Sequence, residues 1–357
     1  MLVLIVVVGL VGGNFVSKIQ MEAAPILNDI GNCTKVFITF MGSYTFFKNM
    51  NVRTYCKFLK QTRIFLDYIV LIAMLLYFAN FFINFGMFSE VRVGIPSYKF
   101  IYNGPAIFSN VLYLAIPLLI MYIRYEGNSR KNILLLVGFL FLWILTLRTR
   151  AFLFVIIFLF MFWWIVLKRK TLKINFITVS MGIGVFILVC LDQIRFYIGE
   201  DGTARAALLL GGVQTMVDYF PFGAGFSTFG TDAAAKYYSP LYEDYGFNSI
   251  YGLSPEEYTF ASDSFWPAII GEFGAVGLLL YIILICNLFV FILRLCKCNR
   301  YYSLMGIFIC FVLIVDSTAS STFFHFLTVN LMFILGICLN GRRFGSYTIG
   351  KQQYEGA

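Results

Sequence analysis

Acidic and aromatic side chains concentrate in one polar stretch of the chain, residues 192–263. The stretch carries ten acidic and three basic residues, so its net charge is −7, whereas the whole chain is +9 and the remainder +16. Carboxylates can orient or deprotonate a hydroxyl, and tyrosines can stack on a sugar and hydrogen-bond to it. A tyrosine-rich surface equally suits a membrane interface, and composition leaves both interpretations open. We expect the chemistry of this protein to lie in this stretch, with Tyr238, Tyr242 and Tyr245 as candidate sugar contacts.

Arginines near the polar stretch could bind a phosphate or pyrophosphate, because a guanidinium forks two phosphate oxygens and stays charged. Arg205 lies in the first turn of a predicted helix over 203–219 that Thr203 caps. Free amide groups at such a helix start add to a phosphate site. A salt bridge from Arg205 to Glu200 or Asp201 is a compatible alternative.

A second arginine pair interrupts an apolar run over 133–167 at Arg148-Thr149-Arg150. One span would place the basic clusters on either side of this run on opposite faces of a membrane. Two short spans keep both clusters inside and carry Arg148 and Arg150 to the outer surface, where ionisable groups are costly and often functional. Snorkelling onto lipid phosphate is the alternative. We predict Arg150 and Arg205 as catalytic, with Arg148 and Arg195 as supporting substrate-binding residues.

Three further residues are candidates because of their position. Asp263 ends the polar stretch, where it either caps the next helix or orients an acceptor hydroxyl. Glu272 follows about two turns into that helix, and His325 is the only histidine of the chain. We place Asp263 in a catalytic role and Glu272 and His325 in substrate-binding roles, although a lone histidine is more often a packed or capping residue.

The elements that must position these residues are predicted to be membrane helices. The chain is 60% hydrophobic and 13% charged, with a mean hydropathy of +0.83, which is not the composition of a soluble domain. A spanning helix needs about 20 mostly apolar residues. The apolar runs are 2–16, 34–47, 64–84, 106–123, 133–147, 151–167, 174–191, 264–293, 301–315 and 323–340.

Five basic turns separate these runs, and placing all five in the cytoplasm follows the positive-inside bias. The prediction is an all-α integral membrane protein of about ten transmembrane helices, with both termini cytoplasmic. Helices one to seven occupy 1–191, a large extracytoplasmic loop occupies 192–263, helices eight to ten occupy 264–340, and 341–357 form a cytoplasmic tail. The chain opens directly into an apolar run, so no cleavable leader is expected.

Several other kinds of site are disfavoured. The Lys and Arg residues fall between apolar runs rather than on one face, so nucleic acid is not an expected partner. All eight cysteines lie outside 192–263, which argues against a disulfide framework there. Cys296 and Cys298 could bind a metal, but two apolar fillers at a helix end are the commoner case. The chain has no Asp-x-Asp pair, so we expect no metal and no cofactor.

Four motifs together resemble the O-antigen polymerase/ligase family. In the polar stretch they are Arg205-x6-Gly212, the DYFPFGAGF run over 218–226 and the YSPLYEDYGF run over 238–247. The fourth is the DSFWPAIIGEFGAVG run over 263–277, and Thr149-Arg150-Ala151 is similar to that family's Ser-Arg element. The motifs that carry the resemblance lie only within residues 149–151 and 205–277. The order and spacing of loose motifs carry it.

The resemblance implies a glycosyltransferase at the outer face of the bacterial inner membrane. Such enzymes move a glycan from undecaprenyl pyrophosphate to a new hydroxyl and release the lipid pyrophosphate, so donor and acceptor would both be lipid-linked glycans. The resemblance also implies a separate chain-length regulator as a possible partner. Ligases of the family open the helix after the loop with His, followed eleven positions later by Gly.

Here Asp263 stands at that His position and Gly274 at the Gly, which favours the polymerase branch over an O-antigen ligase. A flippase or transporter for the same lipid-linked unit is the alternative from another class. Transporters usually show internal repeats and pairs of broken helices, and the sequence suggests neither.

Overall fold

The computed structural model describes residues 1–92, 94–127, 129–169 and 203–344. The described residues are mostly helical, at 74%. Within the described ranges, five helices are long and apolar enough to cross a membrane, which is compatible with a multi-pass membrane protein. These are Val52–Ala79, Pro105–Glu126, Thr149–Leu167, Phe265–Cys296 and Arg300–Ser317.

Three helices form the first part of the chain. Helix α1 is Leu2–Ser17 with a π-helical stretch at Val8–Asn14, α2 is Ala23–Phe46, and α3 is Val52–Ala79. The Asn51 side chain accepts a hydrogen bond from the Thr54 amide and so caps α3.

A small β-hairpin follows, which the all-α prediction missed. Strand β1 is Phe88–Arg92 and strand β2 is Ile95–Tyr98, and they pair antiparallel with Arg92 opposite Ile95. Aromatic packing holds the hairpin: the Tyr98 ring lies 5.1 Å from that of Tyr77, and its hydroxyl donates to the Ala73 carbonyl at 2.8 Å. Short strands with one buried edge carry too weak a period-two signal to be seen between long apolar runs.

The next three helices are α4, Pro105–Glu126, α5, Arg130–Leu145, and α6, Thr149–Leu167. Ser129 caps α5 by accepting from the Asn132 amide. The 35-residue apolar run is therefore two helices, and the predicted break at Arg148 is confirmed: Leu147 takes a left-handed φ of 50° and α6 begins at Thr149.

The described part of the polar stretch, 203–263, contains short helices around a small core. Helix α7 is Ala204–Asp218, α8 is Asp232–Lys236 and α9 is Pro240–Asp244. The Thr203 side chain accepts from the Ala206 amide, which confirms the predicted cap.

The last three helices are α10, Phe265–Cys296, α11, Arg300–Ser317, and α12, Phe326–Asn340. Helix α10 is interrupted at Gly274, which has non-helical torsions of φ 59° and ψ −159°. The sequence analysis did not predict this interruption. The predicted seventh span, 174–191, lies outside the described residues.

The chain divides into two compact units. The first comprises Met1–Ile38, Lys173–Ile292 and Cys310–Thr328, and the second comprises Thr39–Leu172, Leu293–Ile309 and Val329–Ala357. In the first unit, a cluster that includes Leu208, Phe229 and Tyr242 forms the core beneath the polar stretch. In the second, the Trp143 indole donates to Ser109 at 2.7 Å, and the buried Tyr125 and Tyr302 hydroxyls lie 3.2 Å apart.

Candidate functional site

Both side-chain and backbone hydrogen bonds, rather than a regular sheet, hold the 221–231 segment of the first unit. Asn14 of α1 pairs with both backbone groups of Phe226, donating to its carbonyl at 2.9 Å and accepting from its amide at 2.8 Å. Ser17 donates to the Ala224 carbonyl at 2.6 Å. On the other side, the Ala224 and Gly225 amides donate to the carbonyls of Gly271 and Glu272 at 3.0 and 2.8 Å. Buried backbone groups need such partners, so the segment is tied to α1 and α10.

Two buried carboxylates complete this arrangement. Asp29 Oδ2 accepts from the Ser227 amide at 2.7 Å. Glu272 Oε1 accepts from the amides of Thr228 and Phe229 at 3.1 and 3.3 Å and from the Thr231 hydroxyl at 2.9 Å. Glu272 is fully buried, so this predicted substrate-binding residue anchors the 221–231 segment instead of facing a cavity.

Glycines let this segment approach α10 closely. A Cβ on Gly274 would lie 2.4 Å from the Gly223 amide nitrogen, and a Cβ on Gly223 would lie 2.4 Å from that of Gly274. Both residues have positive φ, 59° and 77°. Glycine is thus required twice at one contact, by backbone conformation and by lack of space. The positive φ of Gly223 therefore serves a close backbone contact with α10.

Arg205 and Asp263 form an ion pair at the end of the polar stretch. Arg205 Nε donates to Asp263 Oδ2 at 3.1 Å, and Nη2 donates to the same oxygen. Both side chains are about one-third exposed, at 29% and 33%. Arg205 therefore has a carboxylate partner 58 residues away, and Asp263 uses its carboxylate for this pair. Two predicted catalytic residues are thereby brought into direct contact.

A polar cavity of about 230 Å³ lies in the same unit. Its wall includes Ser262, next in the chain to Asp263, together with Lys35, Asp232 and His325. The remaining lining residues are Asn32, Thr231, Ser321, Phe324 and Phe326. Pockets for drug-sized ligands hold roughly 300–1,000 Å³, so this cavity accommodates part of a larger substrate, such as one sugar or a phosphate group.

His325 is oriented by the start of α12. Its Nδ1 accepts from the Leu327 amide at 3.2 Å, so the neutral ring carries its proton on Nε2. Burial lowers the pKa of His325, and Lys35 adds to this, whereas Asp316 and Asp263 act in the opposite direction. A neutral ring with its proton on Nε2 is a hydrogen-bond donor to a ligand and, with Nδ1 in use, a poor base.

The predicted sugar-contacting tyrosines divide between core and surface. Tyr242 is fully buried, its hydroxyl accepts from the Gly230 amide at 2.8 Å, and its ring stacks on Phe247. It is therefore a core residue with no face for a sugar. Tyr238 and Tyr245 are partly buried, and the Tyr245 hydroxyl lies 3.1 Å from that of Thr215. The well-exposed rings of the stretch include Tyr237 and Tyr251.

Arg148 and Arg150 belong to the second unit. Glu90 of the β-hairpin receives two arginines on one oxygen, Arg92 and Arg148, each at 3.1 Å. Burial lowers the pKa of Arg148, and the nearby Arg92 and Arg150 lower it further. One carboxylate thus receives two guanidinium groups, and Arg150 lies close to one of them, Arg148.

Several predicted residues lie outside the described residues. These are Arg195, the predicted supporting arginine, and the acidic residues that were alternative partners of Arg205, Glu200 and Asp201.

The sequence analysis missed two residues of α2 that contribute to this region. Lys35 lines the cavity and donates to Asn32 at 2.7 Å, and Asp29 binds the 221–231 segment. The signal was partial, because Asp29 and Cys33 lie four residues apart and share one face of α2, whereas Lys35 lies on a different face. Their partners are distant in sequence, so only the fold reveals what they contact.

The class that fold and site define is a mostly helical protein with helices long and apolar enough to cross a membrane and a polar, arginine-containing segment. No family model matches the chain, and no curated protein matches it. The resemblance to the O-antigen polymerase/ligase family therefore rests on the motifs quoted above.

Proposed function

We propose that this protein is a surface-polysaccharide polymerase, which joins undecaprenyl-pyrophosphate-linked repeat units at the outer face of a bacterial inner membrane without a catalytic metal. The observation that carries the proposal is the Arg205–Asp263 pair beside a polar cavity lined by Lys35 and His325. Together these groups offer cations for a leaving pyrophosphate and a carboxylate for an acceptor hydroxyl.

The reaction needs charge neutralisation more than it needs acid catalysis. The acceptor hydroxyl attacks the anomeric carbon, the bond from that carbon to the pyrophosphate oxygen breaks, and the lipid pyrophosphate leaves with the electron pair. Preorganised cations stabilise the charge that develops on this leaving group. Arg205 supplies two N–H donors that now bind Asp263, the chain neighbour of the cavity residue Ser262, and Lys35 supplies an ammonium on the cavity wall.

Asp263 then has two roles in the proposal. In the resting pair it holds Arg205 in place, and once phosphate oxygens take over the guanidinium it is released to accept the proton of the acceptor hydroxyl. His325, as an Nε2–H donor, would hold a sugar hydroxyl or a phosphate oxygen in the cavity. In the second unit, Arg148 and Arg150 are proposed to bind a phosphate group at a site of their own.

The deciding experiment incubates the purified, detergent-solubilised protein with a defined lipid-pyrophosphate-linked repeat unit in the presence of chelator. A ladder of glycan lengths is expected, and Arg205→Ala should abolish it. The matched control is Lys236→Ala, which removes an exposed cation of the same polar stretch that packs on Tyr237; it should leave the ladder intact.

Loss of the ladder in both variants would indicate a general electrostatic effect rather than a site. An intact ladder in Arg205→Ala would overturn the assignment of Arg205. Transfer only to a non-identical acceptor, such as a lipid A core, would indicate a ligase.

A transporter or flippase for the same lipid-linked unit is the second candidate, and the interruption of α10 at Gly274 favours it. Discontinuous helices with buried polar groups are typical of transporter binding sites, and the buried Glu272 lies two residues before the interruption. Movement of intact repeat units across liposomes containing the protein, with no ladder, would support this function over the first.

A further inference from the structure

Asp29, Cys33 and Glu272 bring three metal-ligating atoms together inside the first unit. One such atom from each residue lies within 4.8 Å of the other two. Asp29 and Cys33 come from successive turns of α2, and Glu272 comes from α10 just before its interruption. Side chains four residues apart on a helix lie on one face, so α2 presents a carboxylate and a thiol together.

The environment of the two carboxylates is unfavourable without a cation. Asp29 and Glu272 are 0% exposed, and within the described ranges neither makes a salt bridge. Two carboxylates that are buried side by side must share a proton or bind a cation, because both cannot remain ionised alone.

The hydrogen bonds leave one oxygen of each carboxylate for a ligand. Asp29 Oδ2 and Glu272 Oε1 are engaged by the 221–231 segment at distances between 2.7 and 3.3 Å. Glu272 Oε2 is buried and has no hydrogen-bond partner among the described residues. Asp29 Oδ1 accepts only a weak hydrogen bond from the Cys33 thiol at 3.8 Å, which a bound metal would replace. In protein metal sites, hydrogen bonds to one carboxylate oxygen commonly orient the other oxygen toward the metal.

Tyr281 provides an independent indication. Its hydroxyl is fully buried and lies beside the Cys33 sulfur, which is a weak partner, and it makes no hydrogen bond of normal geometry among the described residues. A thiol is a weak acceptor, whereas a metal-bound thiolate accepts an O–H donor well. The orphaned hydroxyl is therefore explained if Cys33 is a thiolate.

We propose that Asp29, Cys33 and Glu272 bind a Zn²⁺ ion that ties α2 to α10 and holds the 221–231 segment. Two carboxylate oxygens and one sulfur match zinc, which binds oxygen at about 2.0–2.2 Å and sulfur at about 2.3 Å in tetrahedral geometry. Ligand atoms in such a site are about 3.5 Å apart, close to the 3.8 Å between Asp29 Oδ1 and Cys33 Sγ. The site is structural and separate from the metal-independent transfer proposed above.

The test measures metal content and thermal stability of the purified protein. Purified without chelator, the wild type should contain about one zinc per chain; a strong chelator should lower its Tm, and added Zn²⁺ should restore it. Cys33→Ser and Glu272→Gln should lower the zinc content at least tenfold and remove the response to chelator. Cys338→Ser, which alters an equally buried thiol of the second unit, should keep both.

Exchange of Co²⁺ into the wild type gives a spectroscopic readout that does not depend on the folding of a Cys33 or Glu272 variant. Bound cobalt should show a sulfur-to-metal charge-transfer absorption, and Cys298→Ser should retain it, which excludes the Cys296-x-Cys298 turn. The proposal would be overturned if the purified wild type contained no zinc and added Zn²⁺ did not change its Tm. The two carboxylates would then share a proton instead. Zinc that persists in Cys33→Ser and Glu272→Gln, or that is lost in Cys298→Ser, would also overturn it.

Discussion

Arg205 and Asp263 are the residues on which the proposed chemistry depends most. Their side chains are about one-third exposed, and exposed ion pairs stabilise a fold by only about 0–1 kcal/mol. Arg205→Ala should therefore change the free energy of unfolding by no more than about 1 kcal/mol while abolishing polymerisation. Thermal or chemical unfolding beside the ladder assay checks this, and a large loss of stability would instead mark Arg205 as a structural residue.

Charge on Arg205 alone is not expected to suffice. Lysine keeps the charge but loses the planar fork that binds two phosphate oxygens. Arg205→Lys should retain part of the activity, roughly 1–10% if the lost fork contributes about 1.4–2.7 kcal/mol to the transition state. The rate of ladder formation measures this, and full activity would show that charge without geometry is enough.

His325 makes a pH-dependent contribution to stability whose sign follows from its lowered pKa. The folded state favours the neutral ring, so the unfolded chain takes up a proton first as pH falls through the ordinary value of about 6.5. Stability from this residue is present above that pH and is lost below it. Tm should fall less between about pH 7 and pH 5 in His325→Asn, which keeps a side-chain acceptor for the Leu327 amide. An equal fall in both proteins would contradict this.

At the scale of elements, the contact between the 221–231 segment and α10 is the most demanding feature. Gly274 combines a positive φ with a Cβ position 2.4 Å from backbone. Gly274→Ala should therefore destabilise the protein by about 3 kcal/mol or more. Gly31→Ala in α2 is the matched control, because a Cβ there meets nothing within 4 Å; it should be neutral or stabilise by up to about 1 kcal/mol. Similar Tm values for the two variants would contradict the close contact.

The polar stretch buries part of its own aromatic content in a small core. A tyrosine-rich sequence suggested a binding surface, yet Tyr242 lies in the core together with Phe229 and Phe247. Aromatic side chains bury large areas, and a short polar segment needs such residues to form any core of its own. Part of the aromatic content therefore stabilises the segment, and the exposed rings are the better candidates for sugar contacts.

At the scale of the whole molecule, the proposed topology places the polar stretch outside and the basic turns inside. Tyr251 is 72% exposed and offers a labelling position in the stretch. In a variant with Cys286 and Cys298 replaced by serine, Tyr251→Cys should react with a membrane-impermeant maleimide in intact spheroplasts. In a second variant, which keeps Tyr251 and restores only Cys298 in its basic turn, the maleimide should react only after lysis. The opposite pattern would invert the topology.

The sequence by itself determined the helices, because their signals are local. Apolar runs, caps such as Thr203 and breaks such as Arg148 act over a few residues, and the described helices coincide with nine of the ten apolar runs. It also indicated which residue types could serve as chemistry-bearing groups. The hairpin and the interruption at Gly274 were missed, because each depends on packing against another part of the chain.

Tertiary structure alone decided which of those groups meet. Arg205 finds Asp263 across 58 residues, and Glu272 reaches the Thr228 amide across 44. The core position of Tyr242 and the approach of Asp29 and Cys33 to Glu272 are of the same kind. Such contacts depend on how helices pack and on where backbone donors need acceptors. The sequence shows which residues are candidates for the site, and the fold decides which of them come into contact.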